Sequence, residues 1–156
     1  MDVKIREAKE EDLGKVAKMQ KQLMEHHRAI DKYYSVNKAA SSLFLEHIRK
    51  IIETGDGAVF VAEDKNKIIG YLKVRLNSRS PVYKEIMVGC IDDAFVIPEC
   101  RGHGVNKKLV AAGINWLKAR GVKTVELVCF SKNKMAVNAW TDSGFTVYEF
   151  KMKKSV

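Results

Sequence analysis

Fourteen residues, VIPECRGHGVNKKL (96–109), join an apolar run to an amphipathic one through a turn that holds two glycines. The run before the turn, residues 85–98, predicts a long strand that ends at Pro98. The run after it, residues 105–120, has apolar residues at helical spacing. A strand that passes through glycines into a helix can hold an anion, because the backbone approaches closely and the first N–H groups of the helix point outward. The stretch therefore predicts a phosphate-binding turn.

Two common phosphate motifs do not fit this turn. A P-loop requires GxxxxGK[ST], and the chain has no such run. A Rossmann fingerprint requires GxGxxG. Gly102 and Gly104 match its first two glycines, but Lys107 stands at the third, and no βαβ unit begins the chain. Both motifs are therefore excluded.

Outside the turn, the hydrophobic period changes between helical and strand-like segments. The period predicts strands at 3–8, 58–64, 67–78, 85–98, 124–130 and 145–153, and helices at 10–30, 39–53, 105–120 and 133–143. The order is β-α-α-β-β-β-α-β-α-β, with parallel crossovers only in the second half. We therefore expect residues 1–156 to form one α/β domain, with a mixed, mostly antiparallel central sheet and helices on both faces.

Charge and composition limit the function classes. The chain has 28 basic and 19 acidic residues, a net charge of +9, which favours an anionic partner. The lysines are scattered without an aromatic-interleaved basic stripe, so we expect a phosphorylated cofactor rather than nucleic acid. No apolar run reaches the roughly eighteen residues of a membrane span, and no signal-peptide core follows Met1, so we expect a cytoplasmic protein. The three widely spaced cysteines predict neither a disulfide framework nor a metal site.

The opening stretch closely resembles the pyrophosphate loop of the GNAT superfamily of N-acetyltransferases, V-x-P-x-x-R-G-x-G-I-G-x-x-L. The matching residues are Val96, Pro98, Arg101, Gly102, Gly104, Val105 and Leu109. A second family pattern, N-x-x-A-x-x-x-Y-x-x-x-G-F, is represented by Asn133, Ala136, Trp140, Gly144 and Phe145. The element order is also the family's order, so the resemblance covers nearly the whole chain.

The resemblance implies acetyl transfer from acetyl-CoA, as co-substrate and without a metal, to a primary amine by direct attack in a ternary complex. A backbone N–H of the fourth strand is the family's usual donor to the developing oxyanion. Homodimers are common among similar proteins. The residues that the resemblance assigns to CoA are Phe95, Val96, Arg101, Gly102, His103, Gly104, Val105, Asn106, Lys107, Asn133 and Trp140.

Two positions depart from the family pattern. Asn106 replaces the last glycine or alanine of the loop, and its side chain adds bulk near the phosphate. Trp140 replaces the tyrosine that is the usual acid for the departing thiolate, and an indole N–H is no practical proton source. These departures keep an alternative open, a CoA-binding regulatory or sensor domain with little catalytic activity.

The candidate bases are Asp92 and Asp93, which precede the pyrophosphate loop. The two-residue period of a strand predicts that their carboxylates point to opposite faces of the sheet. The acidic pair resembles the one before the loop in spermidine/spermine acetyltransferases, where it engages the cationic amine. Alternatively, one aspartate only ends regular strand pairing. Glu126 is a weaker candidate.

The candidate acceptor site is the loop between the first two helices, which lines the acceptor pocket in the family. It contains Asp31, Tyr33 and Tyr34, and a carboxylate with aromatic rings suits a cationic amine. Simple packing of the two tyrosines is the alternative. The acceptor itself stays open between a polyamine, an aminoglycoside-like compound, an amino acid and a protein N-terminus.

Overall fold

The computed structural model describes all 156 residues, which form five strands and four helices. Their bounds are β1 Lys4–Glu7, α1 Glu10–Ile30, α2 Ala40–Thr54, β2 Gly57–Asp64, β3 Lys67–Ser78, β4 Met87–Val96, α3 Val105–Lys118, β5 Val125–Leu127 and α4 Lys134–Asp142. Short 3₁₀ turns cover Lys32–Tyr34 and Pro98–Cys100. None of the helices combines the length and the apolar character that crossing a membrane requires.

The five strands form one sheet in the order β1-β2-β3-β4-β5. The first four are antiparallel neighbours, and β5 lies parallel to β4. The β2–β3 hairpin turns at Lys65 and Asn66, both with positive φ, as a tight hairpin turn requires. The prediction of a mixed, mostly antiparallel sheet is confirmed.

Helices cover both faces of the sheet, as predicted. On one face, which we call the α3 side, Leu109 and Leu117 pack against Leu72 and Val74. A Cβ on Gly113 would lie 2.4 Å from the Leu72 side chain and 2.8 Å from the Val74 side chain, so any larger residue there would have to displace them. On the other face, the α1/α2 side, fully buried side chains from α1, α2, β2 and β3 form a second cluster, including Val16, Ile48, Val61 and Tyr71. Each large apolar side chain buried in these layers stabilises the fold by about 1.5–3 kcal/mol.

The predicted last strand, residues 145–153, is wrong. Residues 146–156 make no backbone–backbone hydrogen bond, and Phe150 and Met152 are 86% and 91% exposed. An alternating pattern shows which side chains can share a face, but a strand also needs a neighbouring backbone. The neighbouring strand β5 is shorter than predicted, three residues instead of seven, and offers little ladder to extend.

Candidate active site

The turn before α3 leaves backbone donors free. Gly102 and Gly104 have φ values of +78° and +73°, in the left-handed region that favours glycine, and a Cβ on either would meet open space. The first α3 backbone donor with a protein acceptor is the N–H of Lys108, which donates to the Gly104 carbonyl. No side chain caps the helix. The N–H groups of residues 105–107 therefore have no partner in the protein and can donate to an anion.

Arg101 fixes this turn to the end of β4. Its N–H donates to the Pro98 carbonyl, its Nε donates to the Val96 carbonyl at 2.9 Å, and its guanidinium lies 5.6 Å from the Phe95 ring centroid. The backbone N–H of Arg101 and the Val96 carbonyl are thus already used. The positive charge of Arg101 remains beside the turn, and His103 and Lys107 are exposed on it. The turn is a preformed, electropositive cradle.

The strands β4 and β5 separate just before this cradle. They pair only between residues 89–91 and 125–127, and no ladder pair follows Ile91 and Leu127. The early end of β5 therefore leaves the second half of β4 without a neighbour on that side. An extended ligand arm can lie along this open edge and still reach the α3 N-terminus.

A β-bulge in β4 corrects the prediction for Asp92 and Asp93. Lys73 pairs with Asp93 and Val74 pairs with Ile91, so Asp92 has no partner in the ladder. A bulge adds one residue to one strand and interrupts the alternation of faces. As a result both carboxylates lie on the α1/α2 side, and both have an oxygen within 4 Å of the Lys73 ammonium. The expectation of opposite faces is wrong.

The two aspartates have different surroundings. Both oxygens of Asp92 accept hydrogen bonds from Arg75 Nε, at 2.9 and 3.0 Å. Asp93 accepts no hydrogen bond from the protein, and its nearest cation is Lys73, with Nζ 3.9 Å from Oδ2. Burial raises the pKa of Asp93, Lys73 opposes this shift and Asp92 adds to it. Asp93 is therefore a carboxyl group whose proton affinity is raised and whose oxygens are free.

Two further side chains near the pair were not found from the sequence. Tyr71 is fully buried with a hydroxyl that has no partner, and burial, together with Asp93, raises its pKa well above 10.0. His47 of α2 has a pKa lowered by burial and then by Lys73. One sequence signal was available. Tyr71 and Lys73 are two residues apart in β3, so their side chains point to the same face of the sheet.

A cleft of about 250 Å³ opens where β4 and β5 separate. Its charged lining residues are Arg75, Asp92 and Glu126, and Tyr148 from the C-terminal segment completes one wall. Burial, then Glu126, raises the pKa of Tyr148. The cleft brings Asp92 and the weaker candidate Glu126 together. It also contains a tyrosine that the sequence pattern had placed in a strand and not in a site.

The predicted acceptor residues lie together, but their contacts are internal. Asp31 Oδ1 accepts a hydrogen bond from the Tyr33 N–H, and Oδ2 lies 2.7 Å from Lys153 Nζ. The Lys153 ammonium is also 4.2 Å from the Tyr33 ring centroid, while Tyr34 stacks on Phe130. A carboxylate and aromatic rings do bind an ammonium group here, one supplied by the chain itself. No hydrogen bond or ion pair joins this group to Asp92 or Asp93.

The two remaining predicted cofactor residues have structural contacts. The Asn133 side chain caps α4 by accepting a hydrogen bond from the Ala136 N–H at 3.1 Å. Trp140 is half-buried, lies against the α3-side core and meets Phe145 edge to face, with centroids 5.4 Å apart. The indole therefore contributes packing at the position where the family pattern has a tyrosine.

Comparison with known proteins covers most of the chain. The model of the acetyltransferase (GNAT) family matches residues 21–145. An uncharacterized N-acetyltransferase of Methanocaldococcus jannaschii is 32% identical over 119 residues, which are 76% of this chain. The chain spans 51%, about half, of the length of that relative.

Solved structures share the fold. A tetramutant of the BH1408 protein of Bacillus halodurans has a TM-score of 0.85 at 24% identity and covers 98% of this chain and 99% of its own. A predicted acetyltransferase of Clostridium acetobutylicum, solved with acetyl-CoA, has a TM-score of 0.79 at 18% identity and covers 98% of this chain and 96% of its own. At these identities the similarity establishes the architecture.

Proposed function

Because this chain belongs to the acetyltransferase (GNAT) family, we propose that it transfers an acetyl group from acetyl-CoA to a primary amine in a ternary complex. The observation that carries the proposal is the juxtaposition of three features along one path. These are the free N–H groups of residues 105–107, the open edge of β4, and the paired carboxylates at the β4 bulge.

The cradle fits the pyrophosphate of CoA. Three backbone donors at a helix N-terminus, the helix dipole, and the charges of Arg101 and Lys107 all favour a phosphate. Asn106 is half-buried and its backbone N–H is one of the three donors, so its replacement of glycine leaves the donor set intact. The structural neighbour from C. acetobutylicum was solved with acetyl-CoA, which supports this assignment.

The chemistry requires a base and an oxyanion donor. An alkylammonium with a pKa of about 10.4 is not nucleophilic, so it must lose a proton before its nitrogen attacks the thioester carbonyl. We assign the base to Asp93, because its oxygens accept no hydrogen bond and burial raises its pKa. We assign the oxyanion donor to a backbone N–H at the β4 bulge, because Asp92 has no partner in the ladder there.

Collapse of the tetrahedral intermediate breaks the C–S bond and releases CoA as a thiolate. The attacking nitrogen, which became cationic on attack, loses its second proton to water and leaves as the neutral amide. Trp140 cannot supply the proton that this thiolate takes up. Tyr148 lines the cleft, and a tyrosine hydroxyl, with an ordinary pKa of about 10, carries its proton at neutral pH. We assign the proton donor to Tyr148, and Tyr148→Phe should lower the rate of thiol release more than it changes binding of acetyl-CoA.

The net charge at the β4 bulge bears on which acceptor the site can bind. Lys73 and Arg75 compensate the charges of Asp92 and Asp93, so the pair does not present a net negative charge to a polycation. The local resemblance to spermidine/spermine acetyltransferases therefore carries no acceptor assignment. We infer that the Asp31 and Tyr33 group is the place where a cationic acceptor is held, in competition with Lys153.

The first test separates CoA binding at the cradle from a general effect on α3. Gly104→Ala places a side chain at a φ of +73° inside the cradle, and Gly121→Ala places one at +80° beyond the other end of α3. Neither Cβ meets an atom within 4 Å, so the two substitutions have matched backbone strain and no clash. Calorimetry should show CoA affinity falling about tenfold, or 1.4 kcal/mol, for Gly104→Ala alone. Equal losses in both variants would contradict the cradle.

The second test is turnover. Free thiol is measured with acetyl-CoA and a panel that contains polyamines, aminoglycosides, amino acids and peptides with a free N-terminus. We expect release with at least one amine. If CoA stabilises the protein but no amine of the panel releases free thiol, the chain is instead a CoA-binding sensor domain. Trp140 favours this alternative, because its indole packs against Phe145 and cannot donate a proton.

A further inference from the structure

Lys73 is an unusual residue for the middle of a sheet. Its residue exposure is 7%, and the only other charged residue buried to this degree is Asp12. Burying an ammonium group is costly unless a partner compensates its charge. The Lys73 Nζ lies 3.4 Å from Asp92, 3.9 Å from Asp93 and 5.6 Å from the Phe44 ring centroid. The two aspartates are therefore the only anions that compensate its charge, and the Phe44 ring adds a cation–π contact.

The β4 bulge creates this arrangement. Lys73 lies directly opposite Asp93 in the ladder, and the extra residue Asp92 turns to the same side. Without the bulge, one carboxylate would point to the α3 side and Lys73 would have a single partner. The sequence of β4 and the register of β3 together place one ammonium between two carboxylates.

The two aspartates have different cationic partners. Arg75 binds both oxygens of Asp92, which leaves Lys73 as the nearest cation to Asp93. Tyr71 of β3 also faces Asp93 and keeps its proton, and His47 of α2 lies near Lys73, Asp92 and Arg75. Lys73 is the only cation within 4 Å of the Asp93 carboxyl.

We propose that Lys73 is a positioning residue whose ammonium keeps Asp93 in the carboxylate form and so sets the lowest pH at which Asp93 accepts a proton. The electrostatic part of this inference stands on the geometry, and its kinetic part rests on the proposed acetyl transfer. An opposite charge at this distance moves a carboxyl pKa by about 1–3 units. Removing it must raise the pKa of Asp93, which burial and Asp92 have already raised.

The test is a titration of the Asp93 side chain by carbon-13 NMR in protein labelled at the aspartate carboxyl groups. Asp93→Asn identifies the resonance. Lys73→Met and Lys73→Gln should each raise the Asp93 pKa by about 1–3 units, and Lys73→Arg should hold it near the wild-type value. Lys123→Met removes an equal charge from an exposed site and should leave the Asp93 pKa unchanged. The glutamine variant serves if the methionine variant does not fold.

An unchanged Asp93 pKa in both neutral variants would overturn the proposal. The kinetic arm follows the acid limb of kcat/KM for thiol release with the best amine of the panel. In Lys73→Gln the limb should move to higher pH by the shift seen in the NMR titration. If the NMR pKa moves and the limb does not, the coupling of Lys73 to Asp93 stands and the assignment of Asp93 as base fails.

Discussion

Two charged clusters in this molecule differ in how their carboxylates are held. In the first, at the start of the chain, Arg6 donates to Asp12 at 2.6 and 3.2 Å and to Glu63 at 2.8 Å, and the Lys9 N–H also donates to Asp12. In the second, at the β4 bulge, Asp93 accepts no hydrogen bond and faces Lys73 at 3.9 Å. We call them the Arg6 cluster and the bulge cluster.

The difference separates a structural role from a chemical one. The hydrogen bond from Arg6 lowers the pKa of Asp12, whereas burial raises the pKa of Asp93. A carboxylate whose two oxygens are held by several donors stabilises the fold, and its lowered pKa makes it a poor acceptor for a substrate proton. The Arg6 cluster lines a larger cleft, of about 560 Å³, yet its acids Asp12 and Glu63 are already bound there. Cleft size is therefore the poorer guide to the active site.

The largest expected effect is on activity. Asp93→Asn removes the base, and kcat/KM for thiol release should fall by about 10²- to 10⁴-fold. The free energy of unfolding should not fall, because Asp93 makes no hydrogen bond and its burial in the charged form is unfavourable. Kinetics and urea unfolding on the same preparation measure both quantities. A stable variant with wild-type kcat/KM would show that the two clusters do not differ in function.

The reverse pattern is expected for Asp12→Asn. Asp12 is 4% exposed and binds Arg6 through both oxygens, so the change leaves the partly buried Arg6 donors poorly paired and should cost about 1–3 kcal/mol of folding stability. The kcat/KM of the folded fraction should equal that of wild type. Loss of activity without loss of stability would place Asp12, and not Asp93, in the chemistry.

The pH dependence of stability should have opposite signs for the two aspartates. Asp12 has a folded pKa below the ordinary value of 3.8, so its contribution is present above that value and is lost as the pH falls through the folded pKa. Asp93 has a folded pKa above 3.8, so stability declines as the pH rises from 3.8 to the folded value.

Urea unfolding between about pH 3 and pH 7 tests these signs. Asp12→Asn should lower the free energy of unfolding most near neutral pH. For Asp93→Asn, the free energy of unfolding relative to wild type should increase as the pH rises. If the difference in unfolding free energy from wild type changed with pH in the same direction for both variants, the two aspartates would not differ as described.

The smallest effect is expected at an exposed ion pair. Lys153 and Asp31 are 2.7 Å apart, but their side chains are 55% and 28% exposed. Lys153→Met should therefore change stability by less than about 1 kcal/mol, while opening the Asp31 and Tyr33 group to an added amine. A lower KM for a cationic acceptor, measured with the amine panel, checks the second effect. A loss of folding stability in Lys153→Met as large as that in Asp12→Asn would mean that the distance between the charges, and not their burial, sets the strength of these ion pairs.

Much of the architecture followed from sequence patterns that are local. The VIPECRGHGVNKKL stretch predicted the strand, the glycine turn and the helix that the structure contains. Glycine turns and hydrophobic periods depend on neighbouring residues, so they are visible in one sequence.

The errors concern contacts between distant segments. The bulge at Asp92 depends on how β4 pairs with β3, and no pattern within β4 reveals it. The last predicted strand failed because its alternating residues have no partner backbone beside β5. Lys73 and Tyr148 entered the site for the same reason, since their neighbours are far away in the chain.

The most direct measurement of the central claim is the pH profile of kcat/KM for thiol release from acetyl-CoA, with the most active amine of the panel, for wild type and Asp93→Asn. If Asp93 is the base, the acid limb of wild type matches the Asp93 pKa from the NMR titration. The rate of Asp93→Asn is then about 10²- to 10⁴-fold lower and lacks this limb. The same limb and the same plateau in both proteins would rule out Asp93 as the base.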